Sequence, residues 1–477
     1  MTLFNWFQQS YLIKLLIVGL LATLLNACGS SGTAVVAATP ASTMTVKLKV
    51  DPLTRLVTGE AVVSGFTATA LHIHEGATGV SGPILITLNQ DSSDANKFTT
   101  PEGARFSVAQ FASYLAGNTY FNSHSTANPT GEVRAQNVAN IIDTSTVTID
   151  STTGAVSGYL MVSGFTPTLA HIHTGFAGQT GGITVTFEAD PTITGRFNPP
   201  TAASVSVTDY SAGKLYFNVH SAEFTTGQIR EQIVPANVQV LGFEISGDQV
   251  APITISGGGT ATAYLTVDET TGAVNAVLDL HNITNSTNAH IHDGVAGVSG
   301  GILQGFTGAA GDTTWTITGA TLAAGAGNAL EKLLAGDTYI NVHTSANPTG
   351  EARGQIVPRN VVMARSVLTA ADAQTAGTNT SGTSSGSAVG YVTVNKNLTP
   401  ASIKANLAYS GVTPTLAHVH TEVGGVIVLD LAPSSGSGTA TGTLDTTKLS
   451  EFTANQFYFN LHTAANPGGE LRGQIVP

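Results

Sequence analysis

Short runs of apolar residues alternate with polar positions along most of the chain. Residues 61–63, 159–162 and 183–187 are rich in β-branched and aromatic residues, which are typical of β-strands. Glycine, asparagine, proline, serine and threonine fill the intervals and predict turns. A short helical turn is predicted at several places, for example at residues 328–334. We therefore expect an all-β protein of many short strands.

Three polar blocks recur four times within this pattern. They are His-x-His, Tyr-x-Asn-x-His and Glu-x-Arg-x-Gln, with Gln in place of Glu once. Twelve of the thirteen histidines lie in the blocks, which chance does not explain. These histidines are His72, His74, His124, His171, His173, His220, His290, His292, His343, His418, His420 and His462. The other recurring polar residues are Asn122, Glu132, Arg134, Gln136, Asn218, Gln228, Arg230, Gln232, Asn341, Glu351, Arg353, Gln355, Asn460, Glu470, Arg472 and Gln474.

The spacing of the blocks predicts the domain organisation. The His-x-His pairs begin 99, 119 and 128 residues apart, which is the size of a domain rather than of a solenoid repeat. We predict four tandem domains at residues 43–140, 141–240, 241–360 and 361–477. About seven or eight short strands in each are typical of a Greek-key β-sandwich or barrel.

The recurring polar residues are predicted to share one face of each strand. Residues at positions i, i+2 and i+4 of a strand point the same way, so His72 and His74 lie on one face and Ile73 on the other. The same rule applies to the second and third blocks. The three polar faces would form one patch per domain if the strands meet.

A structural network is the first interpretation of this patch. Buried polar groups need partners, and a repeated hydrogen-bond network can specify a fold. The arginine of each third block would need a carboxylate or carbonyl partner if it is buried.

Metal binding is the second interpretation. Two histidines on alternate strand positions and a third from another strand suit copper or zinc. The glutamate of the third block would then orient an imidazole, although Gln228 has no carboxylate to do so.

Catalysis is the third interpretation. No nucleophile recurs beside a histidine, because Ser125 and Ser221 are replaced by Thr344 and Thr463 in the later copies. Paired carboxylates do not recur either. We therefore do not expect an enzyme.

The N-terminus predicts export. Residues 15–25 are apolar and follow Lys14, a pattern typical of a signal peptide and too short to span a bilayer. The next residues, Asn26, Ala27 and Cys28, complete a sequence that resembles a bacterial lipobox. We expect a signal peptide at residues 1–27, lipidation of Cys28 and a flexible tether at 28–42. Gly29, which is not an aspartate, favours the outer membrane by analogy.

Composition excludes one class of partner. The formal charge is −12, and only 10% of residues are charged. The chain has no basic block, so nucleic-acid binding is not expected. Cys28 is the only cysteine, so the mature chain has no intrachain disulfide.

The blocks resemble the CHRD domain, which is named from chordin and also occurs in bacterial exported proteins. The matching pattern is Gly-Phe-Thr, Ala-His-Ile-His-x-Gly, Tyr-Phe-Asn-Val-His and Gly-Glu-Ile-Arg-Gly-Gln-Ile, and all four units follow it. The resemblance implies an immunoglobulin-like β-barrel with limited similarity to Cu/Zn superoxide dismutase, and no established enzymatic activity.

The dismutase likeness points to particular ligands. Two histidines of such a His-x-His segment bind copper in the dismutases, so the likeness makes the four His-x-His pairs the best candidates. Dismutase activity is not expected, because the zinc loop of those enzymes has no counterpart here.

The sequence therefore predicts an exported, lipid-anchored cell-envelope protein with a structural or binding role. Its expected contacts are the membrane, through the lipid, and an unidentified extracellular or periplasmic protein or polymer. Copper or zinc binding in each domain is the alternative.

Overall fold

The computed structural model describes residues 41–250, 258–325, 327–379 and 381–477. Within them Ser42–Pro477 is one compact unit. The predicted signal peptide, Cys28 and nearly all of the predicted tether lie outside the described residues. The predicted all-β class is confirmed, since short strands dominate and the helices are few and short. None of the described helices is both long and apolar enough to cross a bilayer.

Domain 1 has two antiparallel sheets. Its strands are β1 (Thr43–Val50), β2 (Val57–Ser64), β3 (Ala68–Glu75), β4 (Ile84–Thr87), β5 (Asn89–Gln90), β6 (Lys97–Thr99), β7 (Thr119–Ser125) and β8 (Val133–Gln136), and its helix is α1 (Val108–Leu115). The strand orders are β1-β2-β6-β5 and β4-β3-β7-β8.

Domain 2 merges its two sheets into one. Its strands are β9 (Ile141–Asp143), β10 (Thr148–Ile149), β11 (Val156–Ser157), β12 (Leu160–Ser163), β13 (Pro167–Thr174), β14 (Ile183–Ala189), β15 (Arg196–Asn198), β16 (Leu215–Ser221) and β17 (Ile229–Ile233), and its helix is α2 (Val207–Ser211). Strand β14 pairs with β13 along its first part and with β15 at its end. A seven-stranded sheet, β17-β16-β13-β14-β15-β12-β9, results beside the β10-β11 hairpin.

Domain 3 again has two four-stranded sheets. Its strands are β18 (Val238–Ile245), β19 (Thr260–Asp268), β20 (Ala273–His281), β21 (Ser286–Asp293), β22 (Ile302–Gly305), β23 (Thr314–Thr321), β24 (Thr338–Thr344) and β25 (Ala352–Gln355), with a 3₁₀ turn at Gly247–Gln249 and helix α3 (Ala329–Leu334). The orders are β18-β19-β20-β23 and β22-β21-β24-β25. Helix α3 confirms the helical turn predicted at 328–334.

Domain 4 repeats the arrangement of domain 3. Its strands are β26 (Val361–Leu368), β27 (Ser387–Asn395), β28 (Ala401–Ser410), β29 (Pro414–Thr421), β30 (Ile427–Asp430), β31 (Ser437–Leu444), β32 (Phe457–Thr463) and β33 (Leu471–Ile475), and its helices are α4 (Ala370–Thr375) and α5 (Thr446–Thr453). The orders are β26-β27-β28-β31 and β30-β29-β32-β33.

Each domain has its own apolar core, formed by the faces of the sheets that point inward. In domain 1, Ala61 and Val63 of one sheet meet Leu71, Ile73 and Phe121 of the other, and all are at most 2% exposed. The other domains have equivalent clusters. Because side chains alternate along a strand, the residues between these apolar positions project from the outer face.

Polar contacts join the domains. The Tyr264 hydroxyl of domain 3 donates to an Asp51 carboxylate oxygen of domain 1, at 2.8 Å. Between domains 3 and 4, the Tyr391 hydroxyl donates to the carbonyl of Asp248, at 3.2 Å. The domains are therefore packed against one another.

Candidate metal centre

Strand pairing brings the three polar blocks of a domain onto one outer face. In domain 1, β3 pairs with β7, and β7 pairs with β8. The register forms two cross-strand rows, His74, Tyr120 and Gln136 beside His72, Asn122 and Arg134. The same pairing recurs in domains 2, 3 and 4.

One nitrogen from each of three histidines converges in every domain. We call these histidines the triad: His72, His74 and His124; His171, His173 and His220; His290, His292 and His343; His418, His420 and His462. The facing nitrogens of each triad lie within 4.8 Å of one another. In domain 1, His72 Nδ1 is 3.0 Å from His124 Nε2, close to the roughly 3.3 Å expected between tetrahedral ligands about 2.0–2.1 Å from a metal.

Backbone carbonyls hold the outward nitrogen of the second and third histidine of each triad. His74 Nδ1 lies 3.0 Å from the carbonyl of Gly82, and His124 Nδ1 lies 3.0 Å from that of Pro129. A carbonyl only accepts, so each Nδ1 carries the proton and donates it. In the neutral ring Nε2 then presents its lone pair to the centre of the triad. The other domains repeat both bonds.

The converging nitrogens include buried atoms without a partner among the described residues. Nε2 of the second histidine is such an atom in all four domains, and His290 Nδ1 and His343 Nε2 are two more. A buried acceptor without a hydrogen bond is costly. Two lone pairs aimed toward Nδ1 of the first histidine are an arrangement that a metal ion satisfies once that nitrogen gives up its proton, so the residues fit such an ion.

A tyrosine and an arginine fix the ring plane of the second histidine. The rings of His74 and Tyr120 are 5.0 Å apart and 11° from parallel. The guanidinium carbon of Arg134 lies 3.4 Å from the centre of the tyrosine ring, a favourable cation–π contact. The same stack occurs in each later domain.

The arginine also holds the segment that folds over the second histidine. We call this segment, residues 76–82, 175–181, 294–300 and 422–425, the covering loop. Arg134 donates to the carbonyls of Ala77 and Val80, at 2.7 and 2.8 Å. Gln136 donates to the carbonyl of Gly76, at 2.9 Å. Equivalent bonds hold the loops of domains 2 and 3, so the network orients the loop whose carbonyl orients the histidine.

A family model for the CHRD domain matches the sequence at residues 26–137, 144–233, 241–356 and 364–475. The chain belongs to the CHRD-domain family. These matches cover most of its length and confirm the predicted four tandem copies. A search of the curated proteins found no match.

Burial favours the neutral form of several imidazoles in the CHRD domains. It lowers the pKa of the first histidine of every triad, and the neighbouring imidazoles lower that pKa further. Burial also lowers the pKa of the second histidine in domains 3 and 4, against the opposing effect of its bond to a carbonyl. A neutral imidazole is the form that binds a metal ion.

The third-block glutamate does not orient an imidazole, contrary to one prediction from the sequence. In domain 1, Glu132 accepts hydrogen bonds from Ser125 Oγ and Asn128 Nδ2. It therefore stabilises the turn between β7 and β8. The sequence could not show this, because backbone carbonyls hold the imidazoles instead, and every residue has a carbonyl.

Gln228 of domain 2 has a contact that a carboxylate could not make. Its Oε1 accepts from Ser221 Oγ, at 2.9 Å, as the glutamates do elsewhere. Its Nε2 donates to the carbonyl of Leu48 in domain 1, at 2.9 Å. The one exception in the third block thus joins two CHRD domains.

Domain 4 reaches the same triad with a shorter covering loop. His420 Nδ1 bonds to the carbonyl of Gly425 at 3.0 Å. Arg472 pairs with Glu422 at 3.3 Å. The triad geometry therefore survives a change in the loop that covers it.

A glycine spacing could have indicated the covering loop. In domains 1–3 a glycine stands eight residues after the second histidine, at Gly82, Gly181 and Gly300. A Cβ at any of these would lie 1.8 Å from the carbonyl oxygen of the residue that follows that histidine. Only glycine fits there. In domain 1 the carbonyl of this glycine accepts from His74 Nδ1, and its amide donates to the Tyr120 hydroxyl.

Proposed function

We propose that each CHRD domain binds one transition-metal ion, copper in preference to zinc, through its three histidines. The observation that supports this most is the convergence of three ring nitrogens, two of them with their lone pairs fixed toward one point by carbonyl bonds. His72 would bind through Nδ1, and His74 and His124 through Nε2.

The donor set favours copper. All three ligands are neutral imidazoles, which suit copper and zinc, and copper has the higher affinity in the Irving–Williams order. A bound ion would act as a Lewis acid. The protein's own groups position the imidazoles and exclude water from one side through the covering loop. The carbonyl bonds keep the proton of the second and third imidazoles on Nδ1, away from the centre of the triad.

Metal analysis of the full chain tests this proposal. We expect four copper ions per chain after loading and dialysis, and three in His171→Ala. His281→Ala is the matched control, since His281 lies outside the triads, and it should still bind four. Equal copper in the two variants, or none in the unmodified chain, would contradict the proposal.

We further propose that the four domains act as a binding array held at the bacterial outer membrane by a lipid on Cys28. The apolar run that ends three residues before this single cysteine supports it. A tethered array of four domains offers multivalent contact with one protein or polymer. Detergent-phase partition of the exported chain should be lost in Cys28→Ser, and the variant should appear in the soluble fraction. Unchanged partition would argue against the anchor.

A purely structural role of the polar network is the second candidate. The carbonyl bonds of Arg230 to Phe176 and Gln179 favour it, because they stabilise the loop without any metal. Arg230→Ala should lower the free energy of unfolding by about 2 kcal/mol in metal-free protein. If the loss appears only when copper is bound, the network serves the metal site alone.

A further inference from the structure

An exposed isoleucine stands opposite the second histidine in every domain. The cross-strand partners of His74, His173, His292 and His420 are Ile84, Ile183, Ile302 and Ile427. In each domain a register shift separates this pair from the one before it. Directly opposite partners project from the same face, with Cβ atoms roughly 5 Å apart. The four isoleucines are 51, 54, 59 and 51% exposed. Each triad therefore has an apolar side chain at its edge that faces solvent.

Exposed leucines occupy a second edge of the triad in two domains. Leu169 is the cross-strand partner of His220, and Leu416 is that of His462. They are 49 and 48% exposed. The described part of the chain has nine exposed isoleucines and leucines. Six of them are the four isoleucines opposite the second histidine and the two leucines opposite the third. Exposed Ile and Leu are thus concentrated at the triads.

The domain cores do not require these isoleucines. In domain 1 the core contacts of strand β4 come from Ile86, which is 7% exposed, and Leu85. A register shift between Ile73 and His74 interrupts the alternation here, so that Ile84 pairs with the outward-facing His74. Threonine would suit an exposed strand position equally well, and it is common on this surface. An apolar residue at the same place in four domains therefore indicates contact with something that covers it.

We propose that the apolar edge and the metal ion of each domain together bind a methionine-bearing apolar segment of a partner protein. The proposal rests on the metal site proposed above. Three imidazoles leave a fourth coordination position for an outside donor. A charged donor would lose hydration beside isoleucine at a cost. The methionine thioether is neutral, apolar and a soft donor suited to Cu(I), so it satisfies the metal and the aliphatic edge at once.

Three capped tripeptides test the proposal on the full chain in detergent, loaded with Cu(I) under anaerobic conditions. Leu-Met-Leu carries the donor and the apolar flanks, Ser-Met-Ser carries the donor alone, and Leu-norleucine-Leu carries the flanks alone. Leu-Met-Leu should bind about tenfold more tightly than either, as expected when about 1.4 kcal/mol of apolar contact is added to a coordinate bond. Equal affinity of Leu-Met-Leu and either comparison peptide would overturn the proposal.

Two matched variants assign the effect to the isoleucines. The first replaces Ile84, Ile183, Ile302 and Ile427 by threonine, and should bind four copper ions yet lose the tenfold preference. The second replaces the exposed residues Val62, Val138, Val234 and Val367 by threonine, and should keep it. A preference that survives the first variant would overturn the proposal. Absence of copper from the unmodified chain would instead reject the metal site itself.

Discussion

In each triad, the second and third histidines use one ring nitrogen to bond to a backbone carbonyl and turn the other toward the centre of the triad. In domain 2, His173 gives Nδ1 to the carbonyl of Gly181, and His220 gives Nδ1 to that of Thr225. The bonds select the tautomer before any ion arrives, so little reorganisation accompanies binding. The structural network and the proposed metal site are therefore parts of one arrangement rather than exclusive alternatives.

Glu231, in the third block of domain 2, is a residue that the other domains do not share. Its position in the third block is occupied by Ala135, Gly354 and Gly473 in the other domains. Burial raises the pKa of Glu231 to about 7, with a further contribution from Asp143 and an opposing bond from Thr144. The folded protein therefore holds a proton that the unfolded chain releases.

This difference predicts a pH dependence of stability. Between pH 4.5, the ordinary value, and about 7 the folded state binds more protons, so the free energy of unfolding falls as pH rises through that window. Glu231→Gln removes this loss, and should stabilise the protein by about 3 kcal/mol at pH 8 and by almost nothing at pH 4. Urea unfolding at the two pH values measures it. An equal gain in the free energy of unfolding at both pH values would show that the charge of Glu231 is not the cause.

The covering loop is the element on which the geometry of the second histidine depends. Gly181→Ala would place a Cβ 1.8 Å from the carbonyl oxygen of Thr174, whereas one at Gly182 would meet no described atom within 4 Å. We expect Gly181→Ala to displace the loop and to lower copper from four ions per chain to three. Gly182→Ala, the adjacent control, should bind four. Atomic absorption on the dialysed proteins distinguishes them, and equal copper in both would contradict this role of the loop.

The strands and the shared polar faces could be predicted from the sequence, because alternation in a strand has a fixed period. His72, Asn122 and Arg134 lie on one face for that reason. The partner of each imidazole could not be predicted, because Gly82 and Pro129 contribute carbonyls and their direction depends on the turn. The continuous sheet of domain 2 was also missed, since it depends on β14 pairing at both of its ends.

At the scale of the whole molecule, the covering loops also join domains. The tip of the domain 2 loop, Gly178, lies against Tyr264 of domain 3, and Gly297 of domain 3 lies against Tyr391 of domain 4. The neighbouring Ala177 and Ala296 are only 3 and 4% exposed. The equivalent tip of domain 1, Gly79, would place a Cβ within 4 Å of no atom in the described residues.

These contacts predict which glycine controls the joint between domains 2 and 3. In Gly178→Ala the new Cβ would lie 2.8 Å from a Tyr264 ring carbon, so the two domains should separate and the free energy of unfolding should fall by about 2 kcal/mol. Gly79→Ala carries a similar backbone strain, with φ of +80° against +78°, but meets no neighbour. Small-angle scattering should show a larger radius of gyration in Gly178→Ala alone. Expansion of both variants would assign the effect to strain.

If the triads bind copper as proposed, the docked tips should give them unequal exchange kinetics. A covering loop fixed between its own histidine and the tyrosine of the next domain cannot swing away unless that joint opens first. In the described part of the chain, the domain 1 loop is held only by bonds within its own domain, so it should open without such a cost. If copper binds as proposed, a strong chelator should therefore remove it in at least two phases, with domain 1 releasing its ion early and domains 2 and 3 late. A chain of similar sites would then act as both a rapid donor and a slow reserve.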